Sequence, residues 1–143
     1  MQTHKDLVVW QQSIDLAETV YLYTRQFPKE ETFAMVSQMR RSATSIPMNV
    51  AEGYARYYYK ETLHFLYIAV GSAAELDTQV IICKRIGYLD DSQAFFLEQQ
   101  ITSIRKMLNA LIKSLKNKMN NGIDPNHHST TPPLHQFTNP LIH

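Results

Sequence analysis

Three groupings in the sequence carry residue types that chemistry uses. Glu61-Thr-Leu-His64 is a Glu-x-x-His at helical spacing, which sets a carboxylate and an imidazole one turn apart. That is half of a di-iron carboxylate centre, which takes a second Glu-x-x-His and two more inward-facing glutamates. Glu18, Glu52, Glu75 and Glu98 stand singly on separate segments. A hydrated helix start is therefore the better reading of Glu61 and His64, and no metal or other cofactor is expected. The six histidines are His4, His64, His127, His128, His135 and His143, and none has the paired helical spacing of a zinc site. His127-His128 could at most scavenge metal weakly. Cys83 precedes Lys84 and Arg85, whose charges favour a thiolate, but it sits on an apolar stripe and reads as a core thiol. The sequence has no Gly-rich phosphate loop and no nucleophile elbow, so no motif supports catalysis.

Charge placement is more informative. Arg56-Tyr57-Tyr58-Tyr59-Lys60 interleaves bases with aromatics, a composition found at protein interfaces and on nucleobase-stacking surfaces. Arg105, Lys106, Lys113, Lys116 and Lys118 follow one another with no acid between Glu98 and Asp124. Part of this serves a helix C-terminus, and a basic helical stripe is also the footprint of phosphate contact. Glu75 and Asp77 interrupt apolar stripes. If buried, their natural partners are Arg40 or Arg41; otherwise they rim the core in water.

Four helices must position these groups. The first is expected over about 6–26, with a seam of Leu7, Trp10, Ile14, Ala17, Tyr21 and Thr24 widened by Leu16, Val20, Tyr23 and Phe27. Pro28 ends it. The second starts near Lys29 to Thr32 and carries Val36, Met39, Ala43, Ile46, Val50, Gly53 and Tyr57. That seam runs through Pro47, which deletes one backbone hydrogen bond and costs about 3 kcal/mol, so a kinked continuous helix is predicted. Gly53 on the seam suits close approach of a neighbouring backbone. The third runs from about Lys60 to Ile86, with stripes Leu63-Leu66-Val70-Ala73-Asp77 and Phe65-Ala69-Ser72-Leu76-Val80-Cys83 and a Gly87 cap. The fourth is capped by Asp90 and Gln93 and repeats Leu97, Ile101, Ile104, Leu108, Leu111 and Leu115, the seam of a left-handed bundle. The expected fold is an all-α antiparallel up-down-up-down four-helix bundle over 1–119 with a Pro-kinked second helix. Residues 120–143 read as a disordered or extended Pro-containing tail.

The totals agree. A chain of 143 residues, 44% of them hydrophobic, fits one domain burying roughly two-thirds of its unfolded surface. One cysteine excludes an intrachain disulfide and fits a reducing cytoplasm. The first residues do not read as a signal peptide, and the apolar run Phe65 to Val70 is short of the ~20 residues a span needs, so no membrane partner is expected. A net charge of +1 gives no global pull toward nucleic acid.

One stretch points further. Arg41-Ser-Ala-Thr-Ser-Ile-Pro47-Met-Asn49-Val-Ala-Glu52-Gly53 resembles the bundle proteins encoded by intervening sequences in bacterial 23S ribosomal RNA genes, relatives of the accessory variability determinant (Avd) of diversity-generating retroelements. The similarity continues through Leu7 to Trp10, Gly71 to Leu76, Arg85 to Leu89 and Lys106 to Ile112, covering about 4–118. The resemblance implies a ring-like homopentamer without enzymatic activity. In the retroelement branch it implies a basic surface engaging a reverse transcriptase and RNA or DNA. Arg56, Lys60, Arg105, Lys106, Lys113 and Lys116 are the candidates for nucleic acid. Arg40, Arg41, Pro47, Asn49, Glu52, Gly53, Tyr57 and Glu75 are those for a structural network or subunit interface. Apolar stripes on two faces of the first and third helices, beyond what a lone bundle must bury, agree with assembly.

Overall fold

The computed structural model describes residues 3–121. Its regular elements are α1 (Val8–Thr24), α2 (Ser37–Tyr54), α3 (Tyr59–Arg85) and α4 (Asp91–Asn120), and no strand occurs among the described residues. The tail expected from residue 120 lies outside the described residues, apart from Asn120 and Asn121.

α4 forms as its pattern requires. The Asp90 carboxylate accepts from the Gln93 amide at 2.7 Å, and the Gln93 side chain accepts from the Asp90 amide at 3.1 Å. Two otherwise orphaned donors are thereby satisfied. All six seam residues, Leu97 through Leu115, are buried. α3 is closed by Gly87, just past the C-cap Ile86, and the Gly87 φ of +86° is open to glycine at no steric cost. The Tyr88 amide donates to the Cys83 carbonyl at 2.8 Å and the Gly87 amide to that of Lys84 at 3.2 Å, a Schellman closure.

α2 is one helix across Pro47, and Met39, Ala43, Ile46, Pro47, Val50 and Gly53 are all buried. It stops at Tyr54, so Tyr54 completes the core and the expected seam residue Tyr57 stands exposed beyond the helix end. At its other end regular helix begins only at Ser37, later than expected. A 3-10 turn at Lys29–Glu31 and a π turn at Thr32–Val36 precede it, and Ala34 departs from helical angles (φ −119°, ψ −105°). The Glu31 carboxylate accepts from the Met35 amide at 3.4 Å and from the Tyr88 hydroxyl at 3.0 Å, tying this irregular turn to the end of α3.

The seam expected for α1 is only partly its core face: Leu7, Ala17 and Thr24 of that seam are buried. Val9, Ser13, Leu16, Ala17, Val20 and Thr24 are buried, whereas Ile14 and Tyr21 are exposed and Trp10 is half-buried. Both sets have 3-4 spacing, and on a helix apolar around most of its circumference, periodicity alone cannot choose between them.

Each of α1 and α3 packs chiefly on α2 and α4, so those two helices occupy opposite corners of the bundle. The short connections 55–58 and 86–90 make successive helices antiparallel. The shared core contains Leu16, Val20, Met39, Ile46, Leu66, Leu76, Leu97, Ile104, Leu108 and Leu111. α2 and α3 approach closely at Gly53. A Cβ there would sit 3.1 Å from both the Thr62 carbonyl oxygen and the Phe65 Cβ, and the Thr62 hydroxyl donates to the Gly53 carbonyl at 2.8 Å. By length and composition α3 is apolar enough to cross a membrane, with a window of mean hydropathy 1.3, which the short run Phe65 to Val70 did not reveal. In the bundle it packs between α2 and α4 with 39% of that window buried.

Candidate functional site

The polar groups around Pro47 divide into separate pieces. The Arg40 guanidinium lies over the Tyr21 ring at 4.4 Å, donates to the Thr24 hydroxyl at 3.0 Å, and reaches the Tyr21 carbonyl at 3.4 Å. It therefore fastens α2 to α1 by a cation–π contact and hydrogen bonds. Arg41, the next residue, points to solvent. Asn49 donates to the carbonyl and hydroxyl of Ser45 within its own helix, at 2.8 and 2.9 Å. Glu52 pairs with Arg56 one turn on, at 2.7 Å.

The acids of α3 find partners other than Arg40 and Arg41. Glu75 accepts from the Ser42 hydroxyl at 3.0 Å, and Asp77 faces Arg105 of α4 at 3.9 Å. Neither acid is buried. The reason is angular: Ser42 is the α2 residue turned toward α3, while Arg40 is turned toward α1. Ser45 and Ser72 share a hydrogen bond of 2.8 Å along the same α2–α3 seam. Deeper in it, the Cys83 thiol meets the Met39 sulfur at 3.6 Å. Burial, with Glu31 adding to it, pushes that thiol up to about 11, so Cys83 is protonated and shielded at neutral pH.

The Arg56–Lys60 corner splits as well. Tyr59 is a core residue that begins α3, Tyr57 and Tyr58 remain outside with rings 6.5 Å apart, and Arg56 lies over Phe65 at 4.7 Å. Lys116 reaches over Tyr67 at 5.4 Å and Arg105 is drawn to Asp77. Lys60, Lys106 and Lys113 are exposed, the last two seven residues apart on the outer side of α4. Glu61 and His64 are also exposed, His64 edge-on to Phe65 at 5.3 Å. Among the described residues no group of three or more metal-ligating side chains comes together. His127, His128, His135 and His143 lie outside the described residues. A shallow groove of about 380 Å³ between α1 and α4 is lined by Gln12, Asp15, Phe96, Gln99, Gln100 and Ser103, without a nucleophile–base pair.

What the bundle does present is apolar surface. Ile14, Tyr21 and Leu22 are exposed on α1, and Ile68 and Ile82 on α3, with Ile86 exposed just past its end. Phe33 in the π turn is 96% exposed, and Phe95 and Phe96 face outward at the start of α4. On α1 part of the excess was legible, since Ile14 and Tyr21 stand in the expected seam; on α3 both expected stripes turn chiefly inward, and Ile68, Ile82 and Ile86 belong to neither. The phenylalanines carried no periodic signal, because each lies at an element's beginning where seam spacing says nothing about direction.

The sequence model described as 23S rRNA-intervening sequence protein matches residues 5–110. A solved crystal structure of a protein of unknown function from the S23 ribosomal protein family of Bacteroides thetaiotaomicron is 29% identical, with a TM-score of 0.68 over 74% of this chain and 99% of that chain. Among curated proteins none matches the sequence. With three-quarters of its length matched by the family pattern, and its bundle shared with a solved protein of the S23 ribosomal protein family, the chain belongs to the 23S rRNA-intervening sequence protein family.

Proposed function

We propose that this chain is a non-catalytic scaffold that assembles with copies of itself, as a homopentamer, and displays the assembled surface to a protein or RNA client in the cytoplasm. The observation that carries this reading is the uncovered apolar area on α1 and α3, on a bundle whose core is already full without it. Scattered apolar side chains are ordinary on a protein surface, but strips aligned along a helix are characteristic of interfaces. The test is the mass of the full chain in solution, by size-exclusion chromatography with light scattering. A mass of five 16.6 kDa subunits is expected; a monomer overturns the reading.

A second reading is a nucleic-acid-binding accessory factor of a reverse transcriptase, similar to Avd. The exposure of Lys106 and Lys113 on one side of α4 favours it. Arg56, Arg105 and Lys116 are engaged within the chain, which leaves Lys60, Lys106 and Lys113 as its working cations. Phosphate contact releases counterions, so affinity for a single-stranded RNA should fall steeply between 50 and 200 mM salt, roughly tenfold or more for two or three contacts. Lys106→Glu with Lys113→Glu should abolish it while leaving helicity intact. Affinity that is flat in salt removes this reading.

A further inference from the structure

The chain carries a net charge of +1, yet α1 and residues 91–104 of α4 contain no lysine or arginine. Their acids are Asp15, Glu18, Asp91 and Glu98. Asp91 sits in the first turn of α4, where a carboxylate serves the helix dipole. The other three form no ion pair among the described residues; the pairs that do form are Arg56 with Glu52 and Arg105 with Asp77. The groove between α1 and α4 adjoins a second hollow of about 410 Å³ on the outer side of α4, and the two share Gln99 and Ser103. Each combines a carboxylate with an exposed phenylalanine ring: Asp15 with Phe96 in the groove, Glu98 with Phe95 in the hollow. In the groove lining the Gln100 Oε1 is shut off from water and meets no donor. A buried acceptor left unmatched is a cost that folds usually avoid.

We propose that this double hollow docks two arginine side chains carried on one basic segment of a partner protein. The proposal rests on the client-binding half of the reading above, not on assembly, and gives that client its chemistry. The chain itself shows the pairing: Arg56 lies over the Phe65 ring at 4.7 Å and meets the Glu52 carboxylate at 2.7 Å. A guanidinium is planar and weakly hydrated, so it stacks on a ring while its N–H groups fork to a carboxylate; an ammonium has no plane to stack. Asp15 with Phe96, and Glu98 with Phe95, offer those same two groups to a guanidinium from outside. The amide oxygens of Gln99 and Gln100 are acceptors for its remaining N–H groups. The local excess of acid attracts such a segment before contact. Lys106 borders the second hollow, but it stands ~12 Å along the helix from Glu98 and leaves that carboxylate unpaired. A second copy of the chain is a poorer source. Its Arg40, Arg56 and Arg105 are held by its own groups, and its exposed Arg25, Arg41 and Arg85 stand on three separate elements, so no one segment brings two.

Fluorescence anisotropy on the full chain, with labelled hexa-arginine and hexa-lysine at one ionic strength, tests this. Hexa-arginine should bind more tightly than hexa-lysine. Asp15→Asn with Glu98→Gln, and Phe95→Ser with Phe96→Ser, should each weaken hexa-arginine roughly tenfold. Far-ultraviolet helicity should be retained, since none of the four side chains belongs to the buried core. Glu61→Gln, which removes an exposed acid of α3, should leave the affinity unchanged. Equal binding of the two peptides, or an equal loss in Glu61→Gln, would reduce the effect to general charge attraction and overturn the proposal. Absence of hexa-arginine binding overturns it outright. A lowered solution mass in either double variant also overturns it, by giving the face to a contact between copies. Its failure is separable from that of the assembly reading. A monomeric wild type that still binds hexa-arginine supports this site and removes the pentamer; a pentamer that ignores the peptide does the reverse.

Discussion

α3 and α4 are neighbours of similar length, 27 and 30 residues, and they differ in what they turn to solvent. Beyond Glu98, α4 buries one apolar line and shows water Gln99, Thr102, Lys106, Asn109, Lys113 and Asn117. α3 buries as full a line, yet its outer side carries Tyr67, Ile68, Ile81 and Ile82. Adjacent residues make the contrast sharpest, since Cys83 is sealed against Met39 while Ile82 faces out. A helix with one apolar line has finished its packing inside the subunit. A helix with two has packing left to do, and that remainder is where interaction should be sought.

Substitutions can test this contrast. Leu108 in the α4 line is fully buried, so Leu108→Ala should remove about 2–5 kcal/mol of stability, read from denaturant unfolding. A loss below about 1 kcal/mol would mean that the α4 line is not the packed core described. The inner side of α3 should give a pH signature. Its thiol is raised from 9.0 to about 11 in the fold, so its contribution is complete below pH 9. It shrinks as the unfolded chain ionises above pH 9 and is gone once the pH passes about 11, a loss of up to about 2 kcal/mol. Unfolding midpoints at pH 8, 9 and 10 should fall for the wild type and more gently for Cys83→Ala. The Tyr54 phenol, raised by burial, adds a fall of the same sign above pH 10 in both proteins. At the cap, Asp90→Ala should cost about 1 kcal/mol by freeing the α4 N-terminus. Smallest in stability is Ile82→Ser on the outer side, within about 0.5 kcal/mol for an exposed site in the subunit. Its effect should appear in the solution mass instead, and a large loss of monomer stability with unchanged mass would erase the distinction between the two sides of α3.

α4 was readable to its caps because every local signal agreed: Asp90 with Gln93, one 4-3 line, and no Gly or Pro within. α2 was readable through Pro47, where an unbroken seam outweighed the missing donor. It was misread at both ends: Tyr57 continues the spacing although the helix has already closed at Tyr54, and the π turn at Thr32–Val36 has no composition of its own. The α1 face was ambiguous in principle, since two apolar lines at the same period are equivalent until a neighbour covers one. The pairings of Arg40, Glu75 and Asp77 depended on helix rotation, which sequence spacing leaves free.

The chain by itself determined four helices, their order, most of their ends and the α4 core line, because those follow from interactions within a few turns of one helix. Tertiary structure alone decided which side of α1 faces inward, which partner each charge takes, and that the surplus apolar lines of α1 and α3 fall on opposite corners. Those are relations between helices packed against a shared core, and a one-dimensional period contains no term for the rotation of one helix relative to another.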